Sequence, residues 1–338
     1  MLKSDPNYIA GRVLDKLSKY YTRENLEEMI INRPGYVWTK ERRGDWLQEE
    51  APEIDYTYIR RVCHVLANIN SAKFSEDDIP VVSCELPGVP FRFQAIMGPN
   101  VRYNLDDRKG AAVAIRALTA DTSIDFSSYG LTGDTVLPGT RAELLNFNIK
   151  KDNIDAIASV IDRHESVIVS GATSTGKTTF TNKVIEMIPP GERVITVEDA
   201  RELTVHHENR VHLIVPRNRS SNSVNYSTII DSLVRMTPDW IVCGELSIAN
   251  AQPLYATMGK GHPVVTTVHA GSPDEAISAF ANNMNISGDE TALTGDSLMR
   301  SIRSQVGAII QLERREGKRR VVEIVFPSRE IARERNAV

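Results

Sequence analysis

The stretch Gly171-Ala-Thr-Ser-Thr-Gly176-Lys177-Thr178 lies between an apolar β-prone run, Ser166-Val-Ile-Val-Ser170, and a helix-like segment carrying Val184 and Ile188. It fits G-x-x-x-x-G-K-[ST] in the strand–loop–helix setting that the pattern requires. Its glycines let backbone N–H groups turn inward around a phosphate, and the helix N-terminus adds partial positive charge. Lys177 is expected to reach the β/γ oxygens of a nucleotide, and the Thr178 hydroxyl to ligate Mg²⁺. Gly171, Thr173, Ser174, Thr175, Gly176 and Thr179 complete the expected cradle. A loop of this kind needs a parallel α/β sheet behind it, which constrains the second half of the chain.

That half has the required texture. A helix around 154–161 leads into the phosphate-loop strand, and Pro189-Pro-Gly191 stops the helix after it. Strands are expected at 194–197, 211–215, 240–243 and 264–268, with helices between several of them, the alternation of a parallel α/β domain. We place this domain at 148–338. Residues 119–147 are rich in turn formers and read as a linker.

Residues 1–118 read as a smaller α+β domain. Asp5 and Pro6 suit the start of one helix, with Ile9, Val13 and Leu17 on one face. Arg33-Pro34-Gly35 predicts a hairpin within 29–38, and a second helix is expected after Asp55, with Ile59, Val62, Cys63 and Leu66 on one face. Strands follow at 81–84, 91–97 and 111–115. In the second of these Phe91, Phe93 and Ala95 face one way and Arg92 and Gln94 the other.

Two acids stand where ligands gather in open sheets, at the C-terminal ends of strands. Glu198-Asp199 follows the strand after the phosphate loop. Gly244-Glu245 ends the apolar strand Trp240-Ile-Val-Cys243. Glu245 would hold the water shell of Mg²⁺ or polarise the attacking water, and Glu198 competes for the role of base. Asp199 is as well suited to capping. His262 and His269 bracket the strand 264–268, and a histidine in that position can sense a γ-phosphate. The remaining histidines show no metal-ligand spacing. The basic run 313–320 lies between two β-like runs with Gly317 at the tip. It reads as a solvated turn, or as a tip that touches lipid headgroups or a partner.

Composition excludes some functions. Lys and Arg total 40 against 44 Asp and Glu, a formal charge of -4, so gripping nucleic acid through a basic face is not expected. The three cysteines lack metal or disulfide spacing and suit a reducing compartment. No run is apolar enough to span a bilayer, so any membrane role is expected to be peripheral.

Four segments in order resemble the secretion-ATPase superfamily, most closely the traffic ATPase of type IV secretion systems: the phosphate loop, Ile195 to Leu203, Leu233 to Leu246, and Gly261 to Ser272. The segment Ile31 to Trp38, with Arg92 and Arg116, resembles the family's N-terminal domain. The resemblance implies a PAS-like N-terminal α+β domain, a RecA-like ATPase domain and a homohexamer with ATP and Mg²⁺ between the domains. It also implies a cytoplasmic location at the inner membrane, with other secretion components, further ATPases among them, as partners. On this resemblance Arg92 and Arg116 clamp the nucleotide phosphates, His269 senses the γ-phosphate, and ATP closes one domain on the other. A pilus-assembly or type II secretion motor, and an ATP-gated scaffold with negligible turnover, are the alternative readings. Two departures stand out. Ser247-Ile-Ala-Asn250 replaces the family's Arg-Gly-Gly-Glu, and Ser174-Thr-Gly-Lys177 replaces Gly-Ser-Gly-Lys.

Overall fold

A computed structural model describes residues 6–42, 44–104, 106–118, 153–215, 225–286, 295–315 and 318–336. The expected linker at 119–147 lies outside the described residues, as does Asp5. The chain forms two sheets. The first has the order β3-β2-β1-β7-β5-β4 and is antiparallel throughout. Its strands are β1 Leu26–Ile31, β2 Tyr36–Glu41, β3 Trp46–Glu50, β4 Val81–Glu85, β5 Phe91–Gly98 and β7 Gly110–Ala117. Gly35, at φ +85°, turns the β1–β2 hairpin, a conformation that costs glycine nothing. Helix α3, Tyr56–Ile69, packs its apolar face on this sheet and starts where the Asp55 carboxylate accepts the Tyr58 N–H at 2.7 Å.

The expected single N-terminal helix is two. Helix α1, Pro6–Val13, ends before α2, Asp15–Tyr21, and Leu14 between them has left helical geometry. Leu14 and Leu17 are buried, whereas Ile9, expected on the face of Val13 and Leu17, is 38% exposed.

The second sheet has the order β14-β13-β8-β12-β11-β9-β10-β6. Its parallel strands are β8 Ser166–Gly171, β9 Val194–Glu198, β10 Arg210–Ile214, β11 Trp240–Cys243, β12 Val264–Val268 and β13 Val306–Arg315. Helices α4 (Asn153–Asp162) and α5 (Lys177–Ile185) pack on one face. Helices α6 (Tyr226–Val234), α7 (Ala251–Gly259), α8 (Pro273–Ile286) and α9 (Gly295–Gln305) cover the other. This is the doubly wound arrangement expected of the phosphate loop. Strand β14, Lys318–Val325, returns antiparallel along β13, and α10, Pro327–Asn336, follows. Among the described residues no helix is long and apolar enough to cross a membrane.

The two sheets share a core. Met29, Phe93, Ala95, Val113 and Ile115 face α3, whereas Ile30, Ile96, Ala112 and Ala114 join the core of the second sheet. The small alanines let the layers approach. Gln94, which alternation sets on the face away from Phe93, is therefore 1% exposed. Strand β6, Val101–Arg102, leaves the first sheet and pairs antiparallel with β10 at the edge of the second, where the Asn100 amide donates to Ile214 O at 2.6 Å.

Beside this seam lies a buried polar cluster. Arg193 is 0% exposed; its guanidinium donates to Met236 O at 2.9 Å, to Asn209 Oδ1 at 2.7 Å and to Asn32 Oδ1. The Thr237 hydroxyl donates to Glu28 Oε1 at 2.6 Å. Burial lowers the Arg193 pKa to about 10 and raises that of Glu28.

Candidate nucleotide-binding site

Strands β8, β9, β11 and β12 run parallel, so their C-terminal ends deliver Gly171, Glu198, Glu245 and His269 to one margin of the sheet. There they surround a cavity of about 610 Å³. Ser174 and Gly176 adopt φ +63° and +91°, which curls the loop and presents its backbone to the cavity. A side chain at Gly171 would meet Leu312 O at 2.7 Å, so this position also requires glycine. Thr173, Ser174, Gly176, Lys177, Thr178 and Thr179 line the cavity. Gly171 and Thr175 shape the loop from behind: Thr175 is 3% exposed and its hydroxyl donates to Ala172 O at 2.9 Å.

The Lys177 ammonium donates to Gly171 O at 2.8 Å and to Ala172 O at 3.0 Å, and lies 3.1 Å from His269 Nδ1. His269 Nε2 is 3.3 Å from Glu245 Oε1. An ammonium can only donate, so these bonds assign the lone pair to Nδ1 and the proton to Nε2, which donates to the carboxylate. A neutral imidazole thus bridges the loop lysine and the acid after β11. Burial lowers the Lys177 pKa, and Glu245 opposes that shift.

The two candidate bases differ sharply. Glu245 is partly open to the cavity, its side chain 36% exposed. Glu198 is 2% exposed. Its Oε2 accepts the N–H groups of Glu202 and Leu203, both at 2.7 Å, and its Oε1 faces the Thr196 hydroxyl at 3.2 Å and Arg201 at 3.5 Å. Glu198 therefore closes the turn from 199 to 203. Asp199 lines the cavity and accepts the N–H of its neighbour Ala200 at 2.9 Å; no helix starts there, so the capping role considered for it is not taken up.

The replaced tetrapeptide Ser247-Ile-Ala-Asn250 forms a self-contained turn. Asn250 is fully buried, accepts the Ser247 N–H at 2.8 Å and donates to Glu245 O at 2.8 Å. It anchors the backbone that carries Glu245.

His212, a histidine with no sequence signal, supports Glu198 from behind. Arg201 donates to His212 Nε2 at 2.6 Å, and Nδ1–H reaches the Thr196 hydroxyl at 2.7 Å. Burial, then the neighbouring Arg201 and Arg210, hold the His212 pKa well below 6.5; burial also lowers those of His207 and His262. These histidines bind fewer protons folded than unfolded, so their contribution is present above about pH 6.5 and is lost as pH falls through their folded values. Buried Glu28 and Glu198 shift upward and act with the opposite sign, losing stability as pH rises above about 4.5. The melting temperature is thus expected to fall between pH 7 and 5.5, and His212→Gln to melt lower at pH 7 but with a shallower fall. Thermal melts across that range check it; an unchanged slope in the variant would remove His212 from the account.

Arg92 and Arg116, expected to clamp phosphate, lie outside this cavity. They face each other across β5 and β7, and Arg116 is 3.9 Å from Glu27. Arg116 is also opposite Glu28, whose partner Thr237 lies at the entry to β11, the end of the sheet remote from the phosphate loop. Arg235 donates to Ser83 Oγ at 3.1 Å and helps hold the first sheet at that end. A residue that sequence reasoning missed is present instead: Arg319 of β14 lines the cavity.

Thr178 and Glu245 offer oxygen donors of the kind a hard cation prefers. Among the described residues no cluster of three His, Cys, Asp or Glu could hold a metal by itself.

A doubly wound sheet with a glycine-rich phosphate loop, an acid after β11 and a histidine after β12 defines a RecA-like P-loop protein. Residues 138–333 match the family described as "Type II/IV secretion system protein", and the chain belongs to that family. It is 30% identical over 332 residues to the type IV secretion system protein VirB11 of Bartonella henselae, covering 93% of this chain and 91% of that protein. It is 28% identical over 328 residues to the type IV secretion system protein PtlH of Bordetella pertussis, covering 93% and 94%. The crystal structure of the VirB11 ATPase from the Brucella suis type IV secretion system, in complex with sulphate, matches with a TM-score of 0.80 at 22% identity, over 97% of this chain and 98% of that one.

Proposed function

We propose that the protein binds ATP with Mg²⁺ in this cleft, hydrolyses it to ADP and phosphate, and works as a homohexameric motor of a type IV secretion system. The carrying observation is the chain Lys177–His269–Glu245, which joins the phosphate loop to an acid open to the cavity. In this reading the loop amides and Lys177 hold the phosphates. Thr178, with Glu245 through water, holds Mg²⁺, which supplies charge neutralisation at the phosphoryl group. Glu245 takes the proton of the attacking water. His269 reports the γ-phosphate: when Lys177 turns to phosphate oxygen, Nδ1 loses its donor and the imidazole is released. Glu198 keeps the adjoining turn in place.

Arg92 and Arg116 sit remote from this chain's own loop, on one face of the first sheet, as like charges directly opposite, an arrangement that favours an anion between them. We assign them to the phosphates of a neighbouring protomer's nucleotide, so that ring assembly completes the site and ATP draws the N-terminal sheet onto the next subunit. Partners are other inner-membrane secretion components, further ATPases included. The protein acts from the cytoplasmic face, without gripping nucleic acid.

Glu245→Gln tests the chemistry. Phosphate release is expected to fall by about 100- to 1,000-fold, with ADP affinity held within about threefold, because the amide keeps the size and an oxygen that can accept from the Mg²⁺ water shell while it loses the charge and the base. Turnover retained in this variant would overturn the assignment.

A further inference from the structure

The basic β13–β14 hairpin, read from sequence as a solvated turn or a lipid- or partner-touching tip, has another use. Strand β13 pairs with the phosphate-loop strand through Leu312 and Gly171, where β8 ends. Beyond that point β13 continues through Arg315 without β8 beside it, and β14 returns from Lys318. The hairpin therefore overhangs the phosphate loop. Arg319 lies across the loop backbone: a Cβ on Gly176 would meet its Cδ at 2.8 Å and its Nε at 3.3 Å. Gly176 is the residue from which α5 starts, and the same arginine lines the cavity with Lys177 and Thr178. The neighbour directly opposite Arg319 on β13 is Arg314, a like charge. Two cations placed opposite each other destabilise a hairpin unless an anion offsets them. Among the described residues no carboxylate forms an ion pair with Arg319.

We propose that Arg319 is a phosphate-binding residue that the hairpin supplies in cis, acting on the β-phosphate of the bound nucleoside di- or triphosphate. The position distinguishes it from the hydrolytic end of the cleft. Glu245 and His269 close the side where the γ-phosphate reacts, whereas Arg319 rests on Gly176 at the start of α5, where loop amides and the helix N-terminus favour a β-phosphate. A planar guanidinium offers paired donors to phosphate oxygens that a lysine at the same place cannot match. Because the β-phosphate is bound alike in ATP and ADP, Arg319 contributes uniform binding and little that is specific to the transition state.

The inference rests on the nucleotide reading of the cleft, and the experiment separates the two. Affinity for a fluorescent ADP analogue, and the kcat and KM for ATP, are measured for the full-length protein and for Arg319→Ala, Arg319→Lys, Arg320→Ala and Lys177→Ala. Binding by the parent protein that Lys177→Ala abolishes upholds the nucleotide site; no binding by the parent protein overturns both proposals. Given binding, Arg319→Ala is expected to weaken ADP by about 20-fold and raise KM similarly, with kcat within about twofold. Arg319→Lys should recover part of the loss, and Arg320→Ala, whose side chain points to the opposite face, should match the parent. ADP affinity unchanged in Arg319→Ala overturns the proposal, whether or not kcat falls. An equal loss in Arg320→Ala also overturns it, because it would reduce the effect to general positive charge.

Discussion

Lys177→Ala is expected to lower phosphate release by about 1,000-fold or more, the scale seen when a preorganised donor to developing charge is removed. The side chain is 8% exposed, and its ammonium is shared among Gly171 O, Ala172 O and His269 Nδ1. Alanine therefore removes the charge aimed at the phosphates, the tie that closes the loop on itself and the donor that orients His269. The burial that lowers the Lys177 pKa also strengthens its attraction for an anion, because water screens it poorly. Circular dichroism should show an intact fold, since the surrounding strands do not depend on this side chain. A colorimetric phosphate assay on the purified variant decides the matter. Turnover within tenfold of the parent would remove the cleft from consideration as the hydrolytic site.

Arg193→Met is expected to cost about 3–5 kcal/mol of stability, as when one partner of a buried charged cluster is removed. Methionine roughly keeps the apolar volume. It leaves Asn32 Oδ1 and Met236 O without their guanidinium donors, and removes one of the two positive charges near Glu28, the other being Arg116. Because the cluster joins β1 of the first sheet to the entry of β9 and β11 in the second, the loss should also loosen the two sheets from each other. Urea unfolding followed by tryptophan fluorescence reads both effects, as a lower midpoint and a broader or two-step transition. A midpoint unchanged from the parent would show that the cluster adds nothing to the fold.

The parts of this molecule that can be read along the chain are those set by local chemistry. The strand–loop–helix around Lys177 follows from glycines and apolar runs within 20 residues of one another. The Gly35 hairpin and the Asp55 cap are equally local. The acids and the histidine at strand ends were legible because parallel strands always deliver their C-termini to one side. What escaped reading depends on contacts far apart in sequence. Alternation along β5 separates Gln94 from Phe93 but cannot reveal that a second sheet covers the face on which Gln94 lies. The short β6 crosses to that sheet on two residues, too few to carry a pattern. Arg319 was hidden in a charge run, and only the overhang of the hairpin separates it from Arg320. The choice between Glu198 and Glu245 rests on the amides that each carboxylate meets, and side-chain hydrogen bonds leave no periodic trace.

Strands β9 and β11 have an acid of the cleft at or just past one end and a member of the polar cluster just before the other: Glu198 and Arg193 on β9, Glu245 and Asp239 on β11, with the Asp239 carboxylate accepting the Arg193 N–H at 2.7 Å. Each strand is only four or five residues long and is fixed in register by a parallel neighbour on either side. The cleft and the seam with the first sheet are therefore opposite ends of the same two short elements, so a substitution that tilts either strand disturbs both together.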